Sequence, residues 1–277
     1  MKLTLEKLFD QIHKVPQIPE VVRELIAQVN NPDFDFMAVA KNVEKEQVIA
    51  LKVLRLVNSA HFGLSRKIGS IDDAVVLLGM GQLKTLIIAS GIVSSVSDIP
   101  GINIKEFWAD SFLTATYAKW LAEQAGLENS ETVYTAGLLS GLGTILIHLA
   151  DPKAANEIDQ HVKAGESRPE FERKRIGFTS EEACAALCER WKFASELVDT
   201  VRQSGEPLSH DPVLPEACCV YLGRFITQAK RRGLTQEDMM ADFPLDVWKK
   251  LGFSEEQLNE KLAELLTLES GLDGLAD

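Results

Sequence analysis

"AGLLSGLGTILI", residues 136–147, sets Gly137, Ser140, Gly141 and Gly143 within seven positions of an otherwise apolar run. The flanks, "SETVYT" before and "HLA" after, keep the three- and four-residue apolar spacing of a helix, so 130–150 reads as one helix capped by Ser130. Glycine inside a helix costs about 1 kcal/mol relative to alanine, so these glycines need a reason. A phosphate-cradling GxxxxGK[ST] loop fails as that reason, because the stretch has no lysine and no strand pattern before it. A GxSxG nucleophile elbow fails as well, since Leu138 stands where its first glycine would be. Two readings remain. Gly137, Gly141, Thr144 and His148 fall along one helical face, where small residues admit a neighbouring backbone. Alternatively, the small residues are what is left of a site that once did chemistry.

The rest of the chain is helical in pattern. "LEKLFDQIH" and "EVVRELIAQV" are separated by the two prolines of "VPQIP", and "FDFMAVAKNVEKEQVIALKVLRLVNS" supplies two more helices. In the second of these, Val48, Leu51, Leu54 and Val57 form one apolar stripe. Ser70 is placed to cap "IDDAVVLLG", and Gly79 and Gly81 punctuate before "LKTLIIASGIVSSV". "SDIPGIN" (97–103) is the clearest joint, followed by the long helix "IKEFWADSFLTATYAKWLAEQAG". Pro152 suits a first turn, and helices follow to a last one, "SEEQLNEKLAELLTL", capped by Ser254. The fold class expected is all-α, with two helical lobes meeting near residue 100. The divisions are 1–100, 101–210 and a C-terminal helical extension, 211–277, packed on the second lobe.

The sequence has 277 residues, a formal charge of −12 and 45% hydrophobic residues, ordinary for a soluble domain. That charge argues against nucleic acid or an anionic membrane as main partner, since both select basic surfaces. The clusters Arg173-Lys174-Arg175 and Lys230-Arg231-Arg232 read as solvated helix ends. From Ser254 onward, seven acids face only Lys261. Cys184, Cys188, Cys218 and Cys219 form no CxxC pair and read as buried reduced thiols. The N-terminus lacks the apolar core of a secretory signal, and the apolar stretch 74–96 carries Gln82, Lys84 and several glycines. A cytoplasmic protein is expected.

"LRLVNSA", leading into "IGSIDDAVVLLG", and then "FWADSF" and "AGLLSGLGTILI" resemble the HDOD family, relatives of the HD metal-dependent phosphohydrolases. The resemblance runs from about residue 10 to about residue 208. It implies a second lobe that is a degenerate HD-like bundle. The HD superfamily holds divalent metal with a histidine on one helix and a His-Asp pair on the next, ligands suited to activating water. Carried over by position, the first histidine falls on Asp110, the His-Asp pair on Ser140 and Gly141, and a following lysine on Thr144. A later histidine falls near Thr179 or Ser180, and others on Gln203, Ser204 and Gly205. Serine and glycine cannot replace imidazole and carboxylate as ligands.

No metal, cofactor or catalytic residue is therefore expected, and Asp110, Ser140, Gly141 and Thr144 become walls of a vestigial pocket. Elsewhere, His148 and Asp151 make one possible half-site, or His148 simply answers its helix dipole. Cys184 and Cys188 lie one turn apart without a nearby histidine, and Asn58 reads as a helix stop. The expected function is a non-catalytic signalling module that binds another signalling protein or a small regulatory ligand. Its rivals are an active phosphohydrolase and a nucleotide sensor; one acid and no basic cluster in the pocket argue against phosphate.

Overall fold

Ser70 opens the longest helix of the first lobe as its sequence implies, its hydroxyl accepting from the Asp73 amide at 3.0 Å. The computed structural model describes residues 4–12, 15–27, 35–58, 67–96, 99 and 101–272. Helix accounts for 71% of it, with no strand among the described residues, and the all-α class stands. The first lobe comprises α1 (Leu5–Leu8), α2 (Glu20–Ala27), α3 (Phe36–Val43), α4 (Gln47–Val57) and α5 (Ile71–Ser94). Helices α2, α3 and α4 all pack on α5, which breaks at Gly79. There φ is +77°, a conformation that glycine adopts without a Cβ penalty.

Asn58 does more than stop α4. Its side-chain amide donates to the Leu54 carbonyl (2.7 Å) and the Ile68 carbonyl (2.8 Å), and its oxygen accepts from the Ile68 amide (2.7 Å). One side chain thus ties the end of α4 to the approach of α5. The apolar stripe expected on α4 is corrected: Ile49, Val53, Leu56 and Val57 are buried, whereas Val48 and Leu51 are 61% and 68% exposed. The buried face of α4 is the one carrying Ile49, Val53 and Leu56, which leaves Val48 and Leu51 outward; on α5, Val76 and Leu77 are exposed as well. His13, Ser59 and His61 lie outside the described residues.

The second lobe comprises α6 (Ile104–Gln124), α7 (Ser130–Leu139), α8 (Leu142–Ala150), α9 (Pro152–Lys163), α10 (Arg168–Arg175), α11 (Ser180–Arg190), α12 (Ser195–Gln203) and α13 (Pro215–Arg231). Three short helices, α14 (Gln236–Ala241), α15 (Leu245–Lys250) and α16 (Leu258–Thr267), complete it. Helices α6, α7 and α13 pack on one another, while α8 lies between α9 and α11. The lobes touch through α5 on α7 and α1 on α8 and α11. Arg190 lies 4.0 Å over the Phe9 ring, and the Trp191 indole donates to the Pro16 carbonyl at 3.2 Å. Phe225, Phe243, Trp248 and Phe253 form an aromatic chain that fixes the C-terminal helices to α13.

Residues 130–150 form two helices rather than one, interrupted at Ser140–Gly141. Ser140 turns its hydroxyl back on the Gly137 carbonyl at 2.8 Å, a local bond that competes with helix continuation. By length and composition this stretch could cross a membrane, but 78% of an apolar 18-residue run within it is buried inside the protein as α7 and α8. The close-packing reading of its glycines holds. A Cβ on Gly137 would stand 2.8 Å from the Ala115 Cα of α6, and one on Gly143 would overlap the Ser180 carbonyl of α11. Two caps differ from expectation: Asn129, not Ser130, precedes α7, and α16 starts at Leu258, four residues beyond Ser254. The four cysteines are buried and unpaired, as expected.

Candidate functional site

Three backbones come unusually close around α6. Gly137 lets α7 approach on one side, and Gly223 lets α13 approach on the other, where a Cβ would stand 2.7 Å from the Thr114 carbonyl. Asn103 fixes the start of α6, accepting from the Glu106 amide at 3.4 Å and donating to its carboxylate at 2.7 Å. Beside this contact, where the α7–α8 break leaves no side chain at Gly141, a cavity of about 190 Å³ opens. Asp110 from α6 and Ser140, Gly141 and Thr144 from the break all line it. So does Ser180, the first residue of α11. The positions assembled by motif are therefore neighbours in space.

Other expected positions scatter. Thr179 caps α11 in a reciprocal pair with Glu182. Gln203 accepts from the Leu214 amide at 3.2 Å, and Ser204 accepts from Arg224 at 3.4 Å. Gly205 lines a second, outer chamber of about 470 Å³. Arg168, Arg224 and Gln228 line both chambers, so the two meet at these side chains.

The basic groups were missed in the sequence. Arg168, at the start of α10, pairs with Asp159 and with Glu172 (3.1 Å). Arg224, inside α13, pairs with Glu181. Glu172 and Glu181 are 0% and 2% exposed and both bond to Ser180: the Ser180 amide donates to Glu172 at 2.7 Å, and its hydroxyl lies 3.1 Å from Glu172 and 3.4 Å from Glu181. Burial and then the nearby Glu181 charge push the Glu172 carboxyl up to about 7. Burial also acts on Glu181, but the Arg224 charge and hydrogen bond outweigh it and hold that carboxyl below its usual value.

The basic clusters do stand at the exposed ends of α10 and α13, but several of their members also hold partners. Arg231 bridges Glu106 and Asp110, pinning α13 to α6 at the mouth of the inner cavity, and Arg232 lines the outer chamber. Lys230 lies 3.3 Å from the Tyr117 hydroxyl. Arg173 and Arg175 pair with Glu206 (2.5 Å) and Glu157 (2.6 Å). Burial outweighs Arg231 at Asp110, whose carboxyl titrates above its ordinary range. The clue available in the sequence was Arg224 itself, a charge within "CCVYLGRFITQA".

The His148–Asp151 half-site is not formed. Asp151 caps α9 through the Ala154 amide (2.9 Å), while His148 Nε2 bonds Asp159 at 3.0 Å and its Nδ1 is buried without a partner. Burial pushes Asp159 up, but its bonds from His148 and Arg168 prevail and hold it low. Cys188 is pushed well up by its hydrogen bond with Cys184 and by burial, which opposes a metal-binding thiolate.

An HD-type metal does not fit these residues. Hydroxyls and a glycine stand at three of its positions, and the one carboxylate, Asp110, is paired with Arg231. No group of three His, Cys, Asp or Glu side chains among the described residues could hold a metal ion.

The fold and this cleft place the chain among HD-like helical proteins. A family model described as the HDOD domain matches residues 15–207, and the chain belongs to that family. A candidate phosphohydrolase from Shewanella amazonensis is 30% identical, with a TM-score of 0.79 over 98% of this chain and 96% of that one. A candidate signal-transduction protein from Marinobacter aquaeolei has the same fold, with 20% identity and a TM-score of 0.77 over 100% of this chain and 62% of that one. An uncharacterised protein of Treponema pallidum is 27% identical over 202 residues, which are 70% of this chain but 38% of that protein. The chain therefore spans well under half the length of that relative.

Proposed function

We propose that this chain is a non-catalytic signal-transduction module that acts by binding, either to another signalling protein or to a small regulatory ligand. The observation that carries this reading is the substitution of the HD metal positions by Ser140, Gly141 and an Arg231-paired Asp110, in a cleft that is nonetheless open and polar. The name of the Marinobacter aquaeolei protein and membership of the family support a signalling role.

A nucleotide sensor is the second reading, favoured by the two arginines that the sequence did not reveal. Both are already paired with buried carboxylates, which weakens it. The third, metal-dependent phosphohydrolysis, follows the name of the Shewanella amazonensis relative.

The test is the metal-to-protein ratio of tag-free protein grown with iron and manganese, together with hydrolysis of bis(p-nitrophenyl) phosphate under added metal. A ratio near zero and no hydrolysis above buffer are expected. A bound metal with turnover would overturn the reading.

A further inference from the structure

Two buried carboxyl groups converge on one hydroxyl at the start of α11. Glu172 Oε2 lies 3.1 Å from Ser180 Oγ and Glu181 Oε2 lies 3.4 Å from it, and the Ser180 amide also donates to Glu172 Oε2 at 2.7 Å. A serine hydroxyl carries one hydrogen and an ionised carboxylate carries none. With both carboxyls ionised, one of the two contacts therefore has no hydrogen to bridge it. One added proton repairs the count. Placed on Glu172 Oε2, it is donated to Ser180 Oγ, which then donates its own hydrogen to Glu181 Oε2.

The charges around this point carry the same deficit. Three carboxylates, Asp159, Glu172 and Glu181, are held by two guanidinium groups, Arg168 and Arg224. The neighbouring charges are engaged elsewhere: Arg173 and Arg175 of α10 pair with Glu206 and Glu157, and Glu182 of α11 accepts from the Thr179 amide. His148 of α8 is the other group able to hold the missing proton, since its Nε2 lies 3.0 Å from Asp159. Its Nδ1, however, is buried without a partner, so a doubly protonated ring would bury an N–H that has no acceptor. Burial raises Glu181, but Arg224 outweighs it and holds that carboxyl low. That leaves Glu172, which burial and then the Glu181 charge push up to about 7.

We propose that Glu172, Ser180 and Glu181 form a proton-operated latch between α10 and α11. With one proton between the two carboxyls the contact is closed. When the proton leaves, two ionised carboxylates compete for one hydroxyl, and α10 loosens from the start of α11. Ser180 lines the inner cavity and Glu181 the outer chamber, so the latch borders both. The latch is a property of the fold and does not depend on what either chamber binds.

The test is amide hydrogen exchange of the full chain, followed by NMR from about pH 5 to about pH 8.5 and corrected for the intrinsic pH dependence of exchange. The carboxyl signals of the same samples are recorded alongside. An opened latch returns Glu172 to its ordinary 4.5, so opening becomes easier by up to about tenfold per pH unit until about pH 7 and then levels off. The Ser180 amide loses protection by that factor, and the Glu172 carboxyl signal moves with the same midpoint. Glu172→Gln keeps an uncharged group that both donates and accepts, and its Ser180 amide stays protected without this pH dependence. Glu181→Gln removes the competing carboxylate, and the midpoint falls by about one pH unit or more. The carboxyl signal is assigned through the backbone of the native chain, so it decides the matter even where a variant does not fold. A flat Ser180 profile, or one whose pH dependence persists in Glu172→Gln, overturns the proposal. So does a proton that titrates on the His148 ring in place of the Glu172 carboxyl. Equal protection at Ser180 and at the buried Val220 of α13 would show the whole chain opening at once, and would overturn the latch as well.

Discussion

The two walls of the cleft were built by different rules. The wall from α6 and the α7–α8 break is made of small and hydroxylated residues, with Asp110 its only charge. The wall from α10, α11 and α13 is made of ion pairs, Arg168 with Glu172 and Arg224 with Glu181, two of whose members are almost wholly buried. The first wall has lost charge where a metal site needs it. The second has the charged groups, each arginine neutralising a carboxylate that would otherwise be stranded. Where an HD-type site would be held together by a cation, this cleft is braced by guanidinium groups from neighbouring helices.

The largest expected effect tests that brace. Arg224→Met keeps the length and packing of the side chain but leaves Glu181, 2% exposed, without its partner. Breaking a buried pair from one side costs about 3–5 kcal/mol. Urea unfolding should show a loss of that order, and Arg224→Met combined with Glu181→Met should recover most of it. A loss below about 1 kcal/mol in the single variant would mean that the charged wall braces nothing. Where α6 meets α13, by contrast, the Thr114→Val/Thr227→Val change should be close to neutral, because both partners of one hydrogen bond leave together.

The same contrast explains what could be read in the sequence. Helices, the Gly79 break, the Ser70 cap and the glycine packing follow from local spacing and turn chemistry, and they stand in the structure. Asp110, Ser140, Gly141 and Thr144 were brought together by a motif pattern, and they do line one cavity. The second wall follows from contacts between residues far apart in the chain, such as Arg224 with Glu181, and no local pattern encodes them. Arg224 also lies beyond residue 207, where the family match ends. On α4 the error was a different one. Apolar residues at helical spacing lie on two overlapping faces, and only the position of α5 decides that Val53 is inside and Leu51 outside.

A smaller effect appears with pH. Glu172 titrates near 7 in the folded protein and near its ordinary 4.5 when unfolded. Between those values the folded state holds more protons, so this group's contribution to stability is full below about pH 4.5 and is lost as pH rises through 7. Asp159 and Glu181, held low, act in the opposite sense, losing their contribution as pH falls through their folded values. The useful quantity is therefore the stability of the native chain minus that of Glu172→Gln. It should fall between pH 5 and 7.5, by no more than about 1.4 kcal/mol per pH unit. A flat difference would show that Glu172 is ionised throughout and that Arg168 alone compensates it.

The smallest effect makes the sharpest comparison, because it changes only burial. Arg231 lies seven positions after Arg224 on α13, two turns along nearly the same face, and it too pairs with acidic side chains. Yet Arg231 and its partners Glu106 and Asp110 are 50%, 55% and 36% exposed, against 24% and 3% for Arg224 and Glu181. Water solvates the carboxylates that Arg231 would leave behind, so Arg231→Met should cost about 1 kcal/mol or less. That cost should shrink in 1 M salt, where screening acts within about 3 Å, while the Arg224→Met cost should change little. Similar losses in the two variants, or equal sensitivity to salt, would mean that the two pairs do the same work and that the cleft has no distinct inner brace.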